Sequence, residues 1–542
     1  MRTRRDSLKL LGATPLVLGG CASSLPEVLA NKARAPINEG PDWGQTFEGQ
    51  RQADRGDGTF LNPILAGDHP DPSIIRVGET YYLTFSSFDA YPGLLIWQSK
   101  DLVNWSPLGP ALKDYIGSVW APDLIHHDGR FYIYIPARTA DYKSIYVITA
   151  DDINGPWSEP VDLHLPDHID PGHIVGEDGN RYLFLSNGDL VQLADDGLST
   201  VGEVKHVYDP WRYPEDWDVE CFCPEGPKML RRGEWFYMLT AVGGTAGPPT
   251  GHMVIAARSK SVFGPWAHAP NNPQVRTASR AEAWWSRGHA TLIEGPQADD
   301  WWLIYHGYER EFWTLGRQCL LEPVKWRDDG WFEALGADLS KPLPMPKGGE
   351  AIQHGLPLSD DFSAPDLKPQ WAFYNPGAAE YDRLQIGSGE LSLAAKGAEP
   401  RDSSPLCFVT GDRHYSVEVE IERDPSARGG LLLFYNDGLY CGLGFDEAGL
   451  VMHRYGQERR RQDIAPGTTR LFLKVTNREH IVTFHFSLDG ETWTKFDVQM
   501  EVSGYHHNVG YDFLSLRPAI YAAKEGAVRF RNLVYRGQYD LV

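Results

Sequence analysis

Five short motifs, each with one polar residue near its centre, recur along the chain. They are His69-Pro-Asp-Pro-Ser-Ile74, Trp120-Ala-Pro-Asp-Leu-Ile125, Ile169-Asp-Pro-Gly-His-Ile174, Pro224-Glu-Gly-Pro-Lys-Met229 and Gly288-His-Ala-Thr-Leu-Ile293. Their polar centres, Asp71, Asp123, Asp170, Glu225 and His289, follow one another at 52, 47, 55 and 64 residues. Carboxyl groups brought together in this way suit the hydrolysis of an acetal. Inversion at a sugar carbon needs one carboxylate to activate water and one protonated carboxyl to donate to the leaving oxygen, from opposite sides of the ring. The base must stay ionised while the pKa of the acid is raised, and a third acid nearby raises it by like-charge repulsion. Taken singly, an Asp in Pro-Asp-Pro or Asp-Pro-Gly is an ordinary turn former. At one repeat period, and with Glu225, the set points to chemistry.

The elements that must position these residues follow from the same period. An aromatic strand pattern lies about ten residues after each motif: Gly78-Glu-Thr-Tyr-Tyr-Leu-Thr-Phe85, Asp128-Gly-Arg-Phe-Tyr-Ile-Tyr134, Asp178-Gly-Asn-Arg-Tyr-Leu-Phe184, Arg232-Gly-Glu-Trp-Phe-Tyr-Met238 and Asp299-Asp-Trp-Trp-Leu-Ile-Tyr305. Each is a turn signal followed by β-formers. A period near fifty with several short strands per repeat reads as the blades of a propeller. The first strand of each blade lines the central channel, so motifs far apart in sequence converge on one axis. A β-sandwich with chance likeness between strands is the alternative. Residues 341–349, Lys-Pro-Leu-Pro-Met-Pro-Lys-Gly-Gly, read as a linker, and alternation without the repeat follows, as in Tyr415-Ser-Val-Glu-Val-Glu-Ile-Glu422. The expected class is therefore all-β: a tether over 22–58, a five-bladed β-propeller over 59–345, a linker over 346–355 and a β-sandwich over 356–542.

Composition narrows the partner. The net charge of −22 argues against nucleic acid, whose binding rests on clustered Lys and Arg, and leaves a neutral oligosaccharide as the better fit. Residues 1–21, with a basic start, an apolar run and Gly-Gly-Cys at the end, have the layout of an export signal. Thr3-Arg4-Arg5-Asp6-Ser7-Leu8-Lys9 resembles a twin-arginine export pattern, and Leu18-Gly19-Gly20-Cys21 a lipoprotein processing box. The expectation is an exported bacterial protein, periplasmic or held at the outer membrane through a lipid on Cys21; ordinary cleavage without lipid is the alternative. Without Cys21 five cysteines remain, so at least one stays free, and Cys221-Phe222-Cys223 lacks the spacing of a zinc site.

The motifs resemble those of glycoside hydrolase family 43, the β-xylosidases, α-L-arabinofuranosidases and arabinanases. Asn62-Pro-Ile-Leu-Ala-Gly-Asp-His-Pro-Asp-Pro-Ser-Ile74 is similar to the opening motif of the family. The resemblance implies Asp71 as general base, Glu225 of Glu225-Gly-Pro as general acid and Asp170 as the residue that tunes and orients the acid. Asp123, outside that set, reads as a turn or channel hydrogen-bonding residue. By the same resemblance Phe88 and Trp120 shape the sugar pocket and Arg317, in Gly316-Arg-Gln-Cys-Leu-Leu-Glu-Pro, contacts the sugar. Asp89-Ala90 departs from the β-xylosidase pattern, an acidic residue followed by Trp. His289 resembles a channel His that in some relatives lies by a calcium ion; a hydrogen-bonded core His is the other reading. No cofactor is required. The C-terminal segment resembles a sandwich whose loop can close the pocket. The resemblance thus implies an inverting exo-hydrolase releasing xylose or arabinose, β-xylosidase first, with a non-catalytic glycan-binding lipoprotein as the competing class.

Overall fold

The computed structural model describes residues 43–336 and 338–537; the export signal, Cys21 and the first part of the tether lie outside them. Each of the five repeats folds into an antiparallel meander of four strands, and blades two and four carry one short extra strand. The first blade runs Ser73–Val77, Thr80–Thr84, Gly93–Ser99 and Ser106–Leu112, and the last strand of the fifth is Phe332–Ala334. Turn chemistry starts the hairpins: Asp128 and Gly129, both at positive φ, join Asp123–His127 to Arg130–Arg138 in a two-residue connection. Second strands are packed on both faces by neighbouring blades. Every residue of Arg181–Leu185 and of Trp301–Glu309 is buried, which is why these strands read as continuous runs of aromatic and aliphatic residues.

The ladders correct the alignment of the motifs. Pairing with the second strand starts, or resumes after a bulge, at Ser73, Asp123, Gly172, Lys228 and Thr291, opposite Thr84, Tyr134, Phe184, Leu239 and Ile304. Two residues before these points stand Asp71, Ala121, Asp170, Gly226 and His289. Asp123 therefore does not share the register of Asp71; it lies two positions further along. Glu225 lies one position before it. Asp71, Asp170, Gly226 and His289 all adopt left-handed backbone, with φ of 56°, 57°, 63° and 58°. Asp and His tolerate this region better than most residues.

The C-terminal domain stacks an eight-stranded sheet on a seven-stranded one around a single apolar core. One edge strand of the larger sheet is not its own. Ala90–Tyr91, from the first blade, pairs with Ala372–Tyr374, and Asn375 N–H donates to Asp89 O at 2.6 Å. The Asp89-Ala90 departure thus sits where the propeller enters the sandwich sheet.

Residues 43–58 are folded rather than a tether. Composition hid this because their partners are remote: Trp43 Nε1 donates to Asn62 O at 3.0 Å, Thr46 Oγ1 to His354 O at 2.8 Å, and Arg51 Nη1 lies 2.9 Å from Glu309 Oε2. The linker is likewise fixed, since His354 Nδ1 accepts Trp105 N–H at 3.2 Å and Gly355 N–H donates to Trp105 O at 2.8 Å. Cys221 and Cys223 form a disulfide, while Cys319, Cys407 and Cys441 are buried free thiols. No helix among the described residues is long and apolar enough to cross a membrane.

Glu309 holds three parts of the chain together. It takes Arg51 from the N-terminal segment, Arg413 from the sandwich and Gln318 from the fifth blade. Removing one side of a buried ion cluster costs about 3–5 kcal/mol because the remaining charges lose their partner. Glu309→Ala is expected to lower the denaturant midpoint accordingly, and an unchanged midpoint would refute the role given to this cluster.

Candidate active site

The polar residues at the propeller axis form two layers. In the deeper one Asp123 Oδ1 accepts from Lys228 Nζ at 2.7 Å and from Ser73 Oγ at 3.4 Å, and its Oδ2 accepts His173 N–H at 2.8 Å. Asp123 is thus a channel hydrogen-bonding residue. Its partner Lys228, three residues after Glu225, has no counterpart in the other motifs and was not legible from them.

The layer above holds Asp71, Asp170 and His289. Imidazole Nε2 of His289 lies 3.3 Å from Asp170 Oδ2, and Nδ1 lies 3.8 Å from Asp71 Oδ1. Asp170 Oδ2 also accepts Gly226 N–H at 3.0 Å, so it grips the backbone next to Glu225. Asp71 is held from all sides: Arg317 Nη1 donates to Oδ1 at 2.8 Å, Ser86 Oγ to Oδ2 at 2.5 Å, and Asp71 N–H donates to His306 Nδ1 at 3.0 Å. His306 Nε2 reaches Thr245 Oγ1 at 3.1 Å. The rings of His252, His306 and His289 stack, with centroids 5.3 Å and 5.7 Å apart along the series. Glycine makes room for the stack. A Cβ on Gly288 would come within 1.8 Å of the His252 ring, and one on Gly226 within 2.7 Å of His289.

These contacts set opposite protonation states. Burial works to raise the pKa of Asp71, but Arg317, His289 and His306 outweigh it and hold the carboxyl well below its ordinary range. Glu225 is pushed up to about 8, first by burial and then by the Asp170 carboxylate. Burial lowers His306 to about 3, so it stays neutral and accepts the Asp71 N–H. For His289 the burial penalty is overcome by Asp71 and Asp170, which raise it.

Glu225 differs from the two aspartates in access. Its side chain is 21% exposed and lines an open cleft with Trp120, whereas those of Asp71 and Asp170 are 6% and 5% exposed. Arg317 is buried, and its guanidinium lies 5.4 Å from the Phe88 ring and 5.3 Å from Phe513. Phe513 comes from the sandwich. Its ring stacks on Phe88 at 5.8 Å and on His507 at 4.1 Å, and Trp120 meets it edge-on at 6.3 Å. Asn508 Oδ1 accepts Gly247 N–H at 3.0 Å and Leu516 N–H donates to Thr314 O at 2.8 Å, which anchors this loop on the fourth and fifth blades.

One base-like and one acid-like carboxyl, an arginine and an aromatic wall completed by a second domain are the features of a glycan hydrolase. The profile of glycosyl hydrolases family 43 matches residues 60–332, and that of the β-xylosidase C-terminal concanavalin A-like domain matches 359–529. The chain belongs to glycosyl hydrolases family 43. It is 28% identical to a xylan 1,3-β-xylosidase of Vibrio sp over 80% of this chain and 90% of that one. With the non-reducing end α-L-arabinofuranosidase BoGH43B of Bacteroides ovatus the figures are 31%, 82% and 89%. The family 43 protein BlXynB from Bacillus licheniformis superposes with a TM-score of 0.78 at 27% identity, over 88% of this chain and all of that one. The chain is accordingly a glycosidase, a five-bladed propeller followed by a concanavalin-like domain.

Sequence motifs brought Asp71, Asp170, Glu225, Phe88, Trp120, Arg317 and His289 forward, and all seven lie in this one region. They missed Ser86, Thr245, His252, His306 and Phe513. Ser86 stands inside the Phe88 segment and His306 directly follows a repeated strand, but a lone Ser or His carries no signal of its own. A calcium ion takes roughly six to eight oxygen ligands. The nitrogens of His289 face two carboxylates already held by donors, with Arg317 alongside, and no set of three metal-ligating side chains occurs among the described residues, so the site does not fit that ion.

Two outcomes follow for this family 43 enzyme. A proton on Glu225 is present below about 8 and lost above it. On substrates with poor leaving groups kcat/KM should therefore fall about tenfold per pH unit on the alkaline side, and a profile flat to pH 10 would contradict the assignment. Phe513→Ala removes one wall of the pocket, and a loss of about tenfold in kcat/KM is expected, chiefly through KM.

Proposed function

We propose that this family 43 enzyme removes single terminal pentoses from plant cell-wall glycans with inversion, xylose from β-xylosides first, with Asp71 as general base, Glu225 as general acid and Asp170 as the residue that tunes and orients the acid. The observation that carries the reading is the opposed protonation of two carboxyl groups. Asp71 is ionised and aligned by Ser86 and Arg317, and Glu225 keeps its proton at the edge of an open cleft.

In the proposed reaction a water beside Asp71 loses its proton to Oδ1 or Oδ2 as its oxygen attacks the anomeric carbon. Glu225 gives its proton to the departing glycosidic oxygen as that bond breaks. The Asp170 carboxylate disfavours a second negative charge on Glu225 and fixes its backbone through Gly226 N–H. Arg317 and the Phe88, Phe513 and Trp120 rings surround the sugar, polar groups on one side and apolar faces on the other. Support for exo action comes from Phe513, a wall that the second domain contributes beside Phe88, Trp120 and Arg317.

An α-L-arabinofuranosidase is the second reading. The Asp89-Ala90 departure favours it, since Ala90 stands where the β-xylosidase pattern has Trp and is held in the edge strand of the sandwich sheet. The relative from Bacteroides ovatus bears that activity in its name. Export through the twin-arginine-like leader and lipid attachment at Cys21 complete the proposal, and mass spectrometry of the mature protein tests the lipid directly.

Proton NMR of the first product tests the roles: an anomer with inverted configuration is expected, and a retained one would refute them. Asp71→Ala should lower kcat on aryl pentosides by at least about a thousandfold. Glu225→Ala should be largely spared on aryl pentosides and severely impaired on oligosaccharides, because a good leaving group needs no proton. Equal loss on both substrates would count against the pair.

A further inference from the structure

The cleft lined by Glu225, about 310 Å³ in volume, is formed by residues of the second, third and fourth blades. A general acid faces the leaving group, so this cleft receives the glycan on the far side of the scissile bond; the inference rests on the role proposed above for Glu225. Trp120 divides the two spaces. One side of its ring meets Phe513 of the pocket, and the Arg138 guanidinium lies 5.8 Å from its centroid.

The charge of the cleft is the unexpected feature. Arg138, Lys143 and His168 line it together with Asp167, in a chain whose net charge is −22. Arg138 and Lys143 stand directly opposite each other on the strands Arg130–Arg138 and Lys143–Ala150. Like charges in that position cost stability. Lys143 is compensated by Asp167, with Nζ and Oδ1 3.1 Å apart. The Arg138 side chain is exposed at the cleft and lies over the face of Trp120. A planar guanidinium supported on an aromatic ring presents its remaining N–H groups as a fork, the geometry that takes a carboxylate in two parallel hydrogen bonds.

We infer that the leaving-group side of the site recognises an acidic glycan: Arg138, supported by Trp120 and flanked by Lys143, binds the carboxylate of a uronic acid carried on the sugar next to the scissile bond. A uronate there can be the adjoining residue itself or a branch upon it. Both present the same carboxylate. A strongly negative protein otherwise repels such substrates, and a local cation at the cleft reverses that where the chain must lie.

The test compares kcat/KM for four substrates at low ionic strength: a neutral xylo-oligosaccharide, the same oligosaccharide with a glucuronic acid branch on its penultimate residue, the carboxyl-reduced form of that branched compound, and xylose linked directly to galacturonic acid. The expected ratio of the acidic branched substrate to its carboxyl-reduced form is about tenfold, a modest value because the pair is solvent-exposed. Added salt should shrink it. Arg138→Gln should bring the ratio to about one, and Arg138→Lys should retain part of it. A preference for the branched compound or for the galacturonic acid compound tells which source of the carboxylate fits. A ratio of one in the unaltered enzyme, or a ratio indifferent to Arg138→Gln, would overturn the inference while turnover of the neutral oligosaccharide leaves the hydrolase reading standing. If no pentoside is turned over, the hydrolase reading fails and this inference with it.

Discussion

Two buried aspartates face the same imidazole, and the rest of the site is arranged around supplying both with donors and opposite charge. A carboxylate taken out of water is tolerable only when neighbouring donors and opposite charges replace the solvent it loses. His289 supplies one nitrogen toward Asp170 and the other toward Asp71, and Arg317 completes the compensation on the Asp71 side. The left-handed backbone shared by Asp71, Asp170 and His289 points all three inward at one level of the axis. Burial works to protonate Asp71 and to strip the proton from the imidazole, and their mutual proximity reverses both tendencies. Glu225 feels the outcome chiefly as the Asp170 carboxylate, whose effect on it exceeds the opposing one of His289.

That arrangement reaches into the second domain through a short relay. Asp68, just before the Asp71 motif, accepts Arg317 N–H at 3.2 Å with one oxygen and Arg517 Nη2 of the sandwich at 2.9 Å with the other. Arg317 in turn holds Asp71, so the domain interface and the proposed base share one set of charges. Phe513 lies four residues before Arg517, and its loop is therefore placed by the same contact that fixes the arginine. The sandwich is a wall of the site rather than an appendage, which explains why its sheet accepts the Ala90–Tyr91 strand and why the N-terminal segment is tied to both domains through Arg51 and Glu309.

The legible part of this design was the part that repeats. Five copies of an aromatic hairpin announce five blades, and a carboxylate beside Pro at the same interval announces the axis. What the spacing could not convey was register. Counting from the prolines puts Asp123 level with Asp71, whereas the ladders place it two residues on, in a layer where Lys228 neutralises it. Contacts made once, across great separation, left no pattern either. Phe513 approaches Phe88 from another domain, and Arg51 finds Glu309 from a segment whose polar, Gly-rich composition resembles a tether. The histidines behind Asp71 were hidden for a different reason, since imidazole is as common in a hydrogen-bonded core as in a site.

The register also accounts for the asymmetry of the two carboxyl groups that matter most. In the fourth blade the left-handed position is taken by Gly226, and the acid moves back by one residue. In extended chain a step of one residue sends a side chain to the opposite side. The aspartates at the left-handed position itself therefore face inward beside Arg317 and His289, and Glu225 emerges toward the cleft, where burial and the Asp170 carboxylate outweigh those same two cations. Its nearest histidine, His252, lies 4.0 Å away and is held well below its ordinary pKa by burial, so it brings no positive charge. A single glycine thus separates an ionised carboxylate from a protonated carboxyl within one repeated motif, the distinction on which cleavage with inversion depends.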